Sequence, residues 1–235
     1  MAYRLRDENK KIRDMFSRIS RRYDFLNRLL SLGFDVRWRK RAVSFVYPRE
    51  GGTHLDLACG TGDVSLEIFR QVASPRVVGG DVSMEMLKLA REKMERRKIS
   101  DGFTAVACVG EELPFRDGCF DTVSIAFGIR NIVERERALR EMRRTLKPGG
   151  LLIILEFSLP RSPLFRTLYL FYFTKLLPFL GGLFSEKGAY DYLPASVIDF
   201  PPPEEFEKVI LSCGFTRVRR ESLTGGIVTL YVAEK

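Results

Sequence analysis

Gly60-Thr61-Gly62 is the stretch of this chain best suited to hold a ligand by its backbone. The apolar run His54-Leu55-Asp56-Leu57-Ala58-Cys59 leads into it, and a helix is predicted over Val64 to Val72. Glycines between a strand and a helix allow a tight turn and let a ligand approach the main chain. A structural turn would use the same residues. A second strand, Arg76-Val77-Val78-Gly79-Gly80-Asp81, ends in an acid 19 positions after Gly62. At that place a carboxylate reaches the ribose hydroxyls of a bound nucleoside. Glycine turn and acid together argue for a nucleoside cofactor.

The third glycine of a dinucleotide fingerprint is missing. Asp63 stands at the helix start, where it would repel a diphosphate but can cap the helix. S-adenosylmethionine carries no phosphate, and its sulfonium and amino group suit a pocket flanked by Asp56 and Asp63. Asp56-Leu57-Ala58-Cys59-Gly60-Thr61-Gly62 resembles the first motif of the class I S-adenosylmethionine-dependent methyltransferases. The expected cofactor contacts are Asp56, Gly60, Thr61, Gly62, Asp81 and its neighbour Val82, with Val109 and Gly110 beyond the third strand.

These residues need a sheet to carry them. Strands are predicted at Phe103–Val109, Phe120–Phe127 and Leu151–Phe157, with helices led by Ser83 and by Glu134. Lys147-Pro148-Gly149-Gly150 stops the second of these. Glu204 to Cys213 reads as a helix closed by Gly214, and Thr216–Ser222 with Gly226–Glu234 as a hairpin. Upstream, Ile12, Phe16 and Ile19, then Phe25, Leu26, Leu29 and Leu30, fall at helical spacing; Gly33 ends one helix and Asp35 caps the next. The expected fold is an α/β Rossmann-like three-layer sandwich with a mixed seven-stranded sheet and a C-terminal antiparallel hairpin. Within one domain, 1–50 are basic helices, 53–157 the cofactor core, 160–200 an apolar insert, and 203–235 the last helix and hairpin.

A specific set of motifs narrows the family. Tyr23-Asp24-x-x-Asn27, Leu113-Pro114-Phe115, Phe127-Gly128-Ile129-Arg130-Asn131 and Leu146-Lys147-Pro148-Gly149-Gly150 follow one another. Tyr190-x-Tyr192-Leu193-x-x-Ser196 and Asp199-Phe200-Pro201 complete the set. From about residue 10 onward the chain resembles the ubiquinone/menaquinone biosynthesis C-methyltransferases, and the Asp-Phe-Pro tail looks more like the menaquinone branch. The resemblance implies methylation of a ring carbon of a polyprenylated quinol. It places Thr61 and Asp81 at family cofactor positions. Val109 and Gly110 stand where the family usually shows Asp or Asn, then Ala, so a side-chain bond to the adenine amino group is lost there.

Ring-carbon methylation needs an ionised quinol hydroxyl beside the carbon. Arg130, expected at the carboxyl end of strand 4, can stabilise that phenolate but hardly takes a proton. Asn131 would orient the ring or a water. The proton leaves by Asp24, Tyr23 or a water, because His54 starts a buried strand. A salt bridge tying down its loop is the alternative role for Arg130.

Net charge is +9, and residues 1–49, with fourteen Lys or Arg against five acids, hold all of it. This suits an anionic partner surface, whether lipid head groups, nucleic acid or an acidic protein; solvated helix faces are the plainer reading. Leu164 to Phe184 is apolar but broken by Pro178 and Gly181-Gly182, too short and interrupted to span a bilayer. It reads as a helical lid over a greasy pocket or an interfacial patch, the plainer alternatives being a dimer interface or ordinary core. Met1 to Lys11 has no apolar signal core, so a cytoplasmic protein, peripheral on the membrane, is expected. Four cysteines without a Cys-x-x-Cys pair and one histidine argue against a metal site. A nucleic-acid amino-methyltransferase would show an Asn/Asp-Pro-Pro-aromatic tetrad after strand 4, where Ala126-Phe127-Gly128-Ile129 stands; no nucleic acid is expected. A nucleoside- or isoprenoid-binding protein without turnover is the third reading.

Overall fold

The computed structural model describes residues 31–48, 50–172 and 189–235, with Lys10, Asp14, Ser17, Asp24 and Arg28. Tyr23, Asn27, the predicted helix positions Ile12, Phe16, Ile19, Phe25, Leu26, Leu29 and Leu30, and residues 173–188 of the apolar insert lie outside the described residues.

The chain alternates strand and helix through α1 (Phe34–Val43), β1 (Thr53–Leu57), α2 (Asp63–Gln71), β2 (Arg76–Asp81), α3 (Met84–Arg96), β3 (Phe103–Ala107), β4 (Phe120–Ala126), α4 (Arg135–Thr145) and β5 (Leu146–Phe157). Among the described residues of the insert, helices α5 (Pro163–Phe171) and α6 (Ala189–Ile198) follow, then α7 (Pro203–Ser212), β6 (Arg217–Leu223) and β7 (Val228–Glu234). The seven strands form one sheet ordered β3-β2-β1-β4-β5-β7-β6. The first five run parallel, and β7 pairs antiparallel with both β5 and β6. The mixed sheet and its terminal hairpin are as the sequence predicts.

Strand alternation explains the layers. Leu152 and Ile154 of β5 join a core with Ala138, Leu139 and Met142 of α4 and Phe206 and Ile210 of α7. The intervening Ile153 and Leu155 face the other way, onto Trp38, Ala42 and Val43 of α1 and Val64 and Ile68 of α2. Helices therefore cover both faces, as a parallel sheet requires. In β1 the same alternation sends Leu55 and Leu57 to the α4 side and Asp56 toward α2, where Ser65 meets it.

Three local expectations change. Gly33, at φ 78°, occupies the N-cap of α1, so Asp35 lies inside the first turn, buried and paired with Arg39. Gly62, at φ 81°, likewise takes the N-cap of α2, and Asp63 becomes its first residue. Lys147-Pro148-Gly149-Gly150 does not merely stop α4. It bulges within β5, where pairing with β4 jumps from Phe120↔Leu146 to Thr122↔Leu151. Ser83 caps α3 as expected, accepting from the Met86 amide at 3.3 Å.

Candidate functional site

The carboxyl ends of β1 to β4 surround a cleft, the place where open α/β sheets bind ligands. It holds about 710 Å³ of space, open mouth included. The β1 turn contributes Ala58 and Gly60, β2 contributes Asp81 and Val82, and α3 contributes Met86. Cys108, Gly110 and Glu111 follow β3; Phe127, Gly128, Asn131 and Ile132 follow β4. Two strained residues line it. Ala58 at φ 51° and Phe127 at φ 58° are left-handed without being glycine, a costly state that clusters at functional sites. Gly128 lets the β4 loop approach Ala58, since a Cβ there would lie 2.6 Å from that of Ala58.

Asp81 is held in place by backbone donors. Its Oδ2 accepts from the Gly60 amide at 2.9 Å and its Oδ1 from the Ser83 amide at 2.9 Å. Burial pushes its carboxyl above the ordinary value, and the amides of Ser83, Gly60 and Val82 pull the other way. A carboxylate has about four acceptor positions, so both oxygens keep capacity for ribose hydroxyls.

The acids expected to flank the turn do not reach the cleft. Asp56 is buried beneath it, with Oδ2 accepting from the Ser65 amide at 2.9 Å and the Ser65 hydroxyl at 2.6 Å. Ser124 donates to its other oxygen at 3.4 Å. Burial pushes the Asp56 carboxyl up to about 7 despite the serines. Asp63 points into a separate basic hollow with Arg28, Arg39, Arg70, Lys93, Arg96 and Arg97. Burial raises its carboxyl, but Arg39 at 3.0 Å and Lys93 at 2.6 Å outweigh that and hold it below the usual value.

Asp24 belongs to the same hollow, which corrects its expected role as proton acceptor. One oxygen takes the Thr61 hydroxyl at 2.5 Å and the other Lys93 Nζ at 2.7 Å. Lys93 Nζ also donates to Thr61 Oγ1 at 3.0 Å. Asp24 thus bonds the glycine turn and α3 together, and Thr61 is turned away from the cleft. Ser17 adds a second tie at the rim, bonding Ser83 at 2.9 Å and Glu85 at 2.7 Å.

Arg130 sits behind the cleft wall, not on it. Its Nη1 donates to Glu156 Oε1 at 2.8 Å and to the Phe127 carbonyl at 2.6 Å. Its Nε reaches Ser196 Oγ at 3.3 Å, and its own amide bonds Glu156 Oε2 at 3.2 Å. The salt bridge weighed as the alternative role is present. Among the described residues Nη2 is the guanidinium nitrogen left without a hydrogen bond. The Phe157 ring lies under the guanidinium at 5.5 Å, and Tyr169 of α5 is close enough for Arg130 to lower its phenol pKa, against a larger rise from burial.

The structure therefore gathers Gly60, Asp81, Val82, Gly110 and Asn131 of the sequence-predicted set in one cleft. Gly62 and Val109 shape its loops without lining it, and Tyr23 lies outside the described residues. The cleft also holds Glu111, an acid just beyond the third strand that the sequence places only in a turn. The residues fit an adenosyl cofactor: acceptors for its hydroxyls, a glycine-lined approach, and no cation placed for a diphosphate among the cleft residues.

Comparisons with known proteins agree with this geometry. The protein is 52% identical over 234 residues to a ubiquinone/menaquinone biosynthesis C-methyltransferase of Geobacter sulfurreducens, covering 99% of this chain and 91% of that one. It is 46% identical over 222 residues to a demethylmenaquinone methyltransferase of Thermus thermophilus, covering 94% and 100%. Among solved structures, an S-adenosylmethionine-dependent methyltransferase of Thermotoga maritima superposes with a TM-score of 0.65 at 20% identity, over 95% of this chain and 99% of that one, a likeness of fold. With the family profile matching residues 4–235, the chain belongs to the ubiE/COQ5 methyltransferase family.

Proposed function

We propose that this chain methylates the ring of demethylmenaquinol, giving menaquinol. The class of reaction follows from the family: S-adenosylmethionine-dependent C-methylation in quinone biosynthesis. The observation that carries the menaquinone branch is the Thermus thermophilus relative, named a demethylmenaquinone methyltransferase and matched over its whole length. The Asp199-Phe200-Pro201 tail supports it.

Bound S-adenosylmethionine supplies an electrophilic methyl group on a sulfonium. Asp81 would hold its ribose and Gly60 would let it lie against the β1 turn. The quinol ring then lies on the β4–β5 side, between Asn131 and the cluster of Phe157, Tyr169 and Tyr172. Arg130 stands between these two groups of residues. Glu156, the Phe127 carbonyl and Ser196 fix its guanidinium, leaving Nη2 to donate to the quinol oxygen as it loses its proton. A donor held this way needs no reorganisation when charge develops. Asp24, engaged with Lys93 and Thr61, is not placed to take the proton; a water at Asn131 is the acceptor we favour.

The isoprenoid tail of such a quinol is insoluble, so the enzyme meets it at a bilayer. On α5, Leu164, Leu168 and Phe171 are 74%, 59% and 66% exposed at helical spacing, while Tyr169 is buried on the other side. We assign this stripe, with the N-terminal basic excess, to peripheral contact with anionic lipid. No described helix is long and apolar enough to cross a membrane. Mass spectrometry of quinones from cells lacking and regaining this chain tests the proposal. Demethylmenaquinone should accumulate in the first and disappear in the second; unchanged quinones would refute it.

A further inference from the structure

We propose that Glu111 reads the purine of the cofactor, accepting a hydrogen bond from its exocyclic amino group; this rests on the cofactor reading above. Glu111 is 5% exposed, lines the cleft, and its Oε1 is buried without a hydrogen-bond partner. A buried carboxylate oxygen without a donor is costly, and a structure keeps one where a ligand completes the bond.

The surroundings say which donor. Val82, Met86, Cys108 and Ile132 line the same cleft and make apolar walls suited to a flat ring. Gly110 seats its loop tightly against them, since a Cβ there would come within 2.8 Å of Ile132 Cδ1. Strand order assigns the ends of the ligand. Asp81 on β2 takes the sugar, β3 lies outward of it, and β1 and β4 lie inward, where the methyl must be transferred. The base therefore falls toward the loop after β3, where Val109 offers no side-chain acceptor and Glu111 does. The two cleft acids then divide the cofactor, Asp81 on hydroxyls and Glu111 on the amine.

A carboxylate only accepts, so this site discriminates between purines. Adenine presents an amino donor at the 6-position, and hypoxanthine a carbonyl acceptor. Calorimetry of the full chain with S-adenosylhomocysteine and with its 6-oxo analogue S-inosylhomocysteine is the test. Wild type should prefer the adenosyl compound by about tenfold to a hundredfold, the scale of a hydrogen bond to a charged group. Glu111→Gln, whose amide can turn to donate to the carbonyl, should narrow or reverse that preference. Equal binding of the two compounds by wild type overturns the proposal without any variant having to fold. So does a Glu111→Gln protein that keeps the full preference. Wild type that binds neither compound overturns the cofactor reading itself.

Discussion

Replacing Arg130 and Glu156 singly and together separates what their ion pair does for the fold from what it does for the reaction. The pair is deeply buried, with side chains 6% and 0% exposed. Breaking such a pair from one side costs about 3–5 kcal/mol, because a charge stays buried alone. For Arg130→Met the cost falls at the low end, roughly 3 kcal/mol. Glu156 keeps two donors there, the amide of residue 130 at 3.2 Å and that of Phe157 at 2.9 Å. Glu156→Leu should cost nearer 5 kcal/mol, since it strands the guanidinium and both amides. The double variant strands no charge, and apolar replacement of a buried pair is often neutral, so its loss should come from the two amides, roughly 2–6 kcal/mol and less than the two single costs added. Urea unfolding of the four proteins measures this, with turnover on a quinol substrate measured on each folded protein. Turnover in the double variant should stay about a hundredfold or more below wild type, as for loss of one preorganised donor. Additive stability costs would refute the buried-pair reasoning. A stable double variant with wild-type turnover would make Arg130 a purely structural residue.

Other perturbations bear on the same account. Asp81→Ala should weaken S-adenosylhomocysteine binding by roughly 1.5–3 kcal/mol in calorimetry, the value of hydrogen bonds to a charged group; unchanged affinity removes Asp81 from the site. Asp56, raised to about 7 in the fold from an ordinary 3.8, binds its proton more tightly folded than unfolded. Its stabilising contribution is therefore full below pH 3.8 and lost as pH rises through about 7. Asp56→Asn should flatten that part of the stability profile, and a variant whose profile parallels wild type from pH 4 to 8 would count against it. Vesicle sedimentation should show salt-sensitive binding to anionic lipid, weakened in a Leu164→Ser/Leu168→Ser/Phe171→Ser protein. Wild type indifferent to vesicles at low salt would end the membrane assignment.

The fold was largely legible because strand and helix declare themselves by period. β4 read as a buried parallel strand from its apolar run, and the place of Asp81 at the cleft followed from its position after β2. Side-chain direction was harder. Asp56 sits next to the glycine turn in sequence, yet alternation in β1 turns it beneath the sheet toward Ser65. Counting from Leu55 and Leu57 could have shown this. The settings of Asp24 and Arg130 were hidden for a different reason. Their partners, Lys93 and Glu156, come from 69 and 26 residues away. Only tertiary packing brings such pairs together, and no local pattern announces them. Glu111 was hidden by its setting, since an acid in a polar turn looks solvated until the loop is seen to be buried.

The most direct measurement is transfer of an isotope-labelled methyl group from S-adenosylmethionine to demethylmenaquinol by the purified chain, followed by mass spectrometry of the quinol. The account predicts one labelled methyl on a ring carbon, retained after chemical cleavage of any oxygen-linked methyl. Label on oxygen, or none on the quinol while the cofactor binds, would contradict it.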